Sequence, residues 1–394
     1  MHDILWNKEL DLLRDRDLYR SMPAVSGLPG RLVNVNGIQA INFSSNNYLG
    51  LAENPAVMDA AVEYTRRYGA GATASRLIVG NNEPHRELET FIAAWKGTEA
   101  ALIFNSGYQA NVGILSSLME GPDQIVSDEL NHASIIDGCR LSRAKVDVFP
   151  HLDLERLERL LTEGAYRRRL VVTESVFSMD GDVAPLAEIH GICRKHGALL
   201  MVDEAHATGV MGPAGTGLAA QAGVIPDIQM GTLGKAVGTA GAYVAGSRTL
   251  IELLINKARS FIFSTALPPG VVGSALTALR IIASEEGDRR RVLLATRVEK
   301  FRELLTESLG APTSHTHIIP VRIGDSALAM KVAAECLQQG VFAHGIRHPS
   351  VPEGTARLRF TITSEHTEDD LRIAVEALTR AMKRWMNRKE PATR

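Results

Sequence analysis

The sequence predicts an α/β protein: a mostly parallel sheet covered by helices on both faces, followed by a smaller α/β domain. Two observations carry this. From about Asn54 to Leu250, short unbroken apolar runs alternate with helical stretches: AALIF from Ala100, QIVSD from Gln124, KVDVF from Lys145, LVVTE from Leu170, ALLMVDE from Ala198 and GAYVAG from Gly241. Strands that stay apolar through and through, with helices between them, belong to parallel sheets. After Pro268 and Pro269 the pattern changes to long helical runs with few strands, as a second and smaller lobe requires.

Taken in order, the chain opens on a helix from Asp3 to Leu18. Its mixed charges, without an apolar block or small-residue cleavage site, carry no targeting signal. In VNVNGIQAINFSS, Asn36-Gly37 sits between two alternating runs and reads as a type I′ hairpin. The alternating βα region follows, and its ligands are expected at the carboxyl ends of the strands. The second lobe is read as helices Val271–Ser284 and Asp288–Leu309, a strand HIIPVRI, a helix Ser326–Gln339, a strand near Arg357–Ile362 and an amphipathic helix from Glu368. This gives an N-terminal arm over 1–53, a large domain over 54–267 and a small domain over 268–394, with the cleft between lobes as the default site.

Composition excludes several classes. Of 394 residues, 45% are hydrophobic and 22% charged, with a net charge of −2, which fits a globular chain with no bias toward nucleic acid. No apolar run approaches the ~18 residues of a membrane helix, so a soluble cytoplasmic protein is expected. Cys139, Cys193 and Cys336 are odd in number and far apart, which favours reduced structural thiols over disulfides or a zinc knot. The basic runs at Arg167–Arg169 and MKRWMNRK read as a loop before a strand and a positive helix C-terminus.

Three polar sets fall at predicted strand ends. In VDEAHATG, Asp203 follows a strand and can pair with a protonated heterocycle nitrogen, with His206 near a ring oxygen. In TLGKA, Lys235 lies among small residues, as an aldehyde-capturing amine would. In NSGYQAN, Ser106-Gly107-Tyr108 stand between a strand and a helix, where amide N–H groups bind phosphate. Singly the first two read rather as an N-cap aspartate and a surface lysine, and the third equally as an ordinary turn. Together, on successive strand ends, they describe pyridoxal 5′-phosphate (PLP). Competing motifs fail. GAGATA from Gly69 follows a helix and lacks the third Gly of a dinucleotide fingerprint, a Walker A loop ending at Lys235 would need Gly at Gln229, and neither G-x-S-x-G nor a zincin helix occurs.

The blocks FSSNNYLGL, GATASRLIVGN, FNSGYQAN, SDELNHASIIDG, TESVFSMDGDVAPL, MVDEAHATGVMG, GTLGKAVGTAGAY, FIFSTALPP and TARLRFTITSEHT together resemble the α-oxoamine synthases, a family of fold-type I PLP-dependent transferases. The resemblance spans nearly the whole chain. It implies a mostly parallel seven-stranded sheet and a homodimer with shared active sites. It also implies that Lys235 holds PLP and serves as a base, that Asp203 pairs with the pyridine nitrogen, and that His206 bonds the 3-oxygen. By the same resemblance His132 stacks on the ring and meets substrate, while Gly107, Tyr108 and Thr232 line the phosphate and ring. Ser178 touches PLP, Glu174 supports the site, and Thr265 reaches the phosphate across the dimer. Arg359 corresponds to a substrate-carboxylate clamp, and Arg20, Asn46 and Ser350 to positions that contact substrate; no metal is implied.

Within the family, Ala205, Glu174 and the stretch IRHPSVPEGTARLR resemble the branch that joins L-alanine to a pimeloyl thioester of coenzyme A or an acyl carrier protein. LNHASIIDG and GTLGKA read closer to the branch that uses glycine and acetyl-CoA. A non-catalytic subunit of this fold would lack the lysine that stands here at Lys235.

Overall fold

The computed structural model describes residues 3–386 and divides them into two compact units, one over 46–178 and 182–292 and the other over 3–45, 179–181 and 293–386. In the larger unit seven strands form one sheet, in the order Ala100–Phe104, Ala242–Gly246, Ile228–Thr232, Leu199–Asp203, Arg169–Glu174, Gln124–Asp128 and Lys145–Phe149. Ala242–Gly246 runs antiparallel to both neighbours and every other pairing is parallel. Six strands therefore end along one edge, where the sequence placed the ligand. The strand absent from the apolar runs is Ile228–Thr232; its residues, IQMGT, mix polar with apolar side chains, yet all are buried.

Both faces are covered, as the unbroken runs predicted. Leu170, Val172 and Met201 pack into one core and Val171, Leu200 and Val202 into another, because neighbours on a strand point to opposite faces. Each such buried side chain contributes about 1.5–3 kcal/mol. The helix Pro269–Ile282 was expected to open the small domain. It belongs instead to the larger unit, with ten of its residues buried, and packs against the helices Pro55–Tyr68 and Glu83–Lys96. Gly273 permits this approach, since a Cβ there would lie 2.2 Å from the Tyr64 ring.

The N-terminal arm, expected over 1–53, is divided instead: its residues up to Ser45 belong to the smaller unit and those from Asn46 to the larger. Leu32–Val35 and Ile38–Asn42 form the expected hairpin, with Asn36 and Gly37 at φ 52° and 87°, and Val341–Phe342 then adds in parallel to Ile38–Asn42. A second sheet orders Ile318–Gly324, Ala356–Thr361 and His344–Ile346, all antiparallel. The opening helix ends at Asp15. Among the described residues no helix is long and apolar enough to cross a membrane, and Cys139, Cys193 and Cys336 are buried and unpaired. Arg167 and Arg168 both clasp Asp123 ahead of the strand that starts at Arg169; residues 387–389 of the C-terminal basic run lie outside the described residues.

At the rim of the sheet His151 bridges two carboxylates, with Nδ1 2.9 Å from Asp128 Oδ1 and Nε2 on Asp182. Burial pulls its pKa down, but the bonds to Asp128 and Asp182 prevail and raise it to about 10. A histidine with a raised pKa stabilises the fold below its unfolded value of about 6.5 and loses that contribution as pH climbs toward the folded value. The gap in urea midpoint between wild type and His151→Gln is accordingly expected to be widest below neutral pH and to narrow toward pH 10. A gap that does not vary with pH would show that the ring acts without its charge.

Candidate active site

The site is built from the turns that follow the strand ends. Parallel register sets Glu174 directly opposite Asp203, so two carboxylates end adjacent strands, both buried. Asp203 Oδ1 accepts the Ala205 N–H at 2.8 Å and Oδ2 accepts the Asn111 side-chain amide at 2.8 Å. This is a local turn, not the helix cap that an aspartate at such a position can also form. Glu174 Oε1 accepts the His132 N–H at 2.6 Å. Burial first, and then the charge of Asp203, raises the Glu174 pKa to about 8. One residue on, Glu204 is buried against Lys96 Nζ at 2.6 Å and the Ala219 N–H at 2.9 Å, which anchors the segment after Asp203.

His132 caps the helix Ala133–Ser142, its Nδ1 accepting the Ser134 N–H. Asn111 donates to Ser134 Oγ at 2.9 Å, and Ser134 Oγ lies 2.7 Å from His132 Nδ1. With Nδ1 an acceptor, the ring proton sits on Nε2. Burial lowers the His132 pKa, Lys235 lowers it further and Asp203 opposes them, so the imidazole is neutral near pH 7.

Lys235 stands in the turn between Ile228–Thr232 and Ala242–Gly246. Thr232 Oγ1 ties that turn by donating to Gly241 O and accepting from the Gly234 N–H, and Gly238, at φ 74°, lies so near Ala52 N that a Cβ would be 2.4 Å away. Lys235 Nζ is 2.8 Å from His206 Nε2, and His206 Nδ1 is 2.6 Å from the Tyr48 hydroxyl, which donates to Asn46 Oδ1 at 3.0 Å. Because the tyrosine proton is spent on Asn46, Nδ1 carries the hydrogen and Nε2 is left to accept from the lysine.

The helix Gly107–Leu118 begins beside these groups with Ser106 as its N-cap, the hydroxyl accepting the Gln109 N–H. The Gly107 and Tyr108 amides open that helix, as anion binding requires. Tyr108 is half exposed and donates its hydroxyl to Asp137. Ser178 is buried, whereas Thr265 is exposed with its carbonyl accepting from Asn105 at 2.6 Å.

The remaining expected residues lie in the smaller unit. Arg359 is buried on Ala356–Thr361 and donates to Thr361 Oγ1 at 2.9 Å. Arg20 donates to Ser350 Oγ at 3.3 Å. In the larger unit, Asn111, Ser134 and Tyr48 were not singled out, although each lies inside a quoted motif. Asn111 left a signal, being a buried amide on an otherwise apolar helix face.

The residues of the larger unit fit PLP. Asp203 is a buried carboxylate with two amide donors and no ion pair among the described residues, so it suits a cationic ring nitrogen. A helix N-terminus suits the phosphate, and a lysine held by an accepting imidazole suits the aldehyde.

Residues 38–378 match the family model for class I and II aminotransferases. The 8-amino-7-oxononanoate synthase of Geobacter sulfurreducens is 52% identical over 378 residues, covering 94% of this chain and 96% of that protein. Serine palmitoyltransferase from S. paucimobilis, solved with PLP and myriocin bound, superposes with a TM-score of 0.90 at 30% identity over 97% of both chains. The 8-amino-7-oxononanoate synthase of Francisella tularensis gives 0.75 at 28% identity, covering 88% of this chain and 98% of that one.

Asn111→Leu takes from Asp203 one of two hydrogen bonds, and a bond to a charged group contributes about 1.5–3 kcal/mol. The variant is expected to bind PLP about tenfold more weakly or worse, by absorbance titration of the apoprotein, with an unchanged far-ultraviolet circular dichroism spectrum. Unaltered affinity would remove Asn111 from the site.

Proposed function

The chain belongs to the α-oxoamine synthase branch of the class I and II aminotransferase family, and from that premise we propose that it joins L-alanine to a pimeloyl thioester, releasing CO2 and free thiol. The product is 8-amino-7-oxononanoate, an intermediate of biotin synthesis. The observation that carries this reading is near-full-length identity of about half to relatives bearing that activity's name.

When bound, PLP supplies an aldehyde that condenses with amines and a pyridine ring that accepts the electrons released at the amino-acid Cα. Lys235 Nζ is the amine that holds it and the base for the Cα proton, steered by His206. Asp203, braced by Asn111, would hold a proton at the ring nitrogen. Neutral His132, its proton on Nε2, presents a hydrogen-bond donor to the acyl oxygen. Arg359 offers a guanidinium to the α-carboxylate, while Gly107, Tyr108, Thr232 and Ser178 hold the phosphate and ring. Arg20, Asn46 and Ser350 meet substrate.

A homodimer in which Thr265 completes the site of the other subunit is supported by its exposed side chain and by the exposed apolar run Leu77, Ile78 and Val79 nearby in sequence to the Ser75–Thr265 bridge. Buried, unpaired cysteines support a cytoplasmic setting.

Lys235→Ala is expected to abolish both turnover and the visible absorbance of covalently held PLP; a variant that keeps that absorbance would remove the lysine from its role. Thiol release should favour L-alanine with pimeloyl-CoA over glycine with acetyl-CoA, compared as kcat/KM, and the reverse order would overturn the assignment.

A further inference from the structure

Behind Asp203 the larger unit buries an ion pair to which the proposed reaction gives no task. Lys96 ends the helix Glu83–Lys96 with its side chain 2% exposed, and the side chain of its partner, Glu204, is wholly buried. The ammonium meets Glu204 Oε2 at 2.6 Å and also donates to the Thr216 carbonyl. Burial favours the neutral amine, but Tyr243 and Glu204 outweigh it and raise the Lys96 pKa, so the lysine is charged. A buried ion pair adds little stability over a well-packed apolar pair of the same size. What it adds here is a fixed place for the Glu204 carboxylate.

That place secures a turn at both ends. At its start, Glu204 Oε1 accepts the Ala219 N–H at 2.9 Å, and Gly217 leaves the carboxylate room, since a Cβ there would lie 2.3 Å from Oε2. The Glu204 backbone is held as well: its N–H donates to Met230 O at 2.8 Å, and its carbonyl accepts the N–H groups of Ala207 at 3.0 Å and Thr208 at 2.8 Å. At the far end the Thr208 hydroxyl lies 3.1 Å from that of Tyr243, a buried group on which the Lys96 charge acts. Gly231 makes space for that contact, because a Cβ would come within 2.5 Å of Thr208 Oγ1. His206 stands between the two anchors, and Asp203 directly before the first.

Resting on the reading of Asp203 and His206 as the groups that meet PLP, we infer that Lys96 is a positioning residue of the active site: through Glu204 at one end and Tyr243 with Thr208 at the other, it holds the turn that presents both. It touches neither PLP nor substrate in this role. Removing its charge alone strands a buried carboxylate beside Asp203, whereas removing the charges of both partners leaves a neutral interior with a looser turn. Those two cases separate positioning from stability.

Full-length wild type, Lys96→Met and the double variant Lys96→Met/Glu204→Gln are compared. The measurements are the urea midpoint of the apoprotein, PLP affinity by absorbance titration, the pH at which the visible absorbance of covalently held PLP changes, and kcat and KM for thiol release from L-alanine with pimeloyl-CoA. Lys96→Met is expected to lose midpoint and affinity together. The double variant is expected to regain the midpoint, yet to bind PLP about tenfold more weakly than wild type, as loss of a charge-assisted bond implies, with its absorbance change displaced in pH and kcat lowered more than KM. A double variant that matches wild type in PLP affinity and in the pH of its absorbance change would make the ion pair a plug of the interior and overturn the inference. So would one that loses midpoint and affinity while that pH stays put. Where either variant fails to fold, Glu204→Gln, which keeps an acceptor for the Ala219 N–H, is judged by the same pH. A wild type that binds PLP but releases no thiol overturns the proposed reaction instead, and the affinity and absorbance measurements still decide the role of Lys96.

Discussion

Two carboxylates at the ends of adjacent parallel strands set the terms for everything around them. The register that pairs Glu174 with Asp203 is fixed by the apolar runs before them, so the backbone imposes the proximity whatever the side chains prefer. Two buried negative charges so close are tolerated only with compensation. The fold provides it unequally: the pKa of Glu174 is raised, and Asp203 receives amide donors. This leaves one carboxylate disposed toward an external cation, while Lys96 and Glu204 settle their own charges within a closed pair behind it.

Hydrogen-bond polarity then organises the two histidines of the candidate site. His132 and His206 are both neutral-type acceptors on one nitrogen, but their partners choose opposite nitrogens: Ser134 and its N–H hold Nδ1 of His132, and Lys235 meets Nε2 of His206. Identical side chains thereby differ in what they can offer a ligand, one presenting a donor and the other an acceptor.

Much of this was legible in the sequence because short-range physics wrote it there. Unbroken apolar runs gave six strands of the large sheet, Asn36-Gly37 gave the hairpin, and Ser106-Gly107 gave the helix start. What escaped was non-local. Ile228–Thr232 is polar enough to hide as a strand, since its burial comes from its two neighbours. The Pro269–Ile282 helix reads as the beginning of a new lobe after two prolines, and the fit of Gly273 against Tyr64 that assigns it elsewhere is set by residues about two hundred positions away. Within the site, Lys235, Asp203 and His132 carried recognisable chemistry, whereas Asn111 and Tyr48 act through hydrogen bonds whose partners only the fold brings near.

The strand Val341–Phe342 joins Ile41–Asn42 across about 300 intervening residues. Such a pairing cannot form until residue 342 has been made. The hairpin must wait for that strand, and the larger unit has all of its own residues before then. Order of synthesis and order of assembly are therefore reversed for the arm: its hairpin is made well before the strand that secures it.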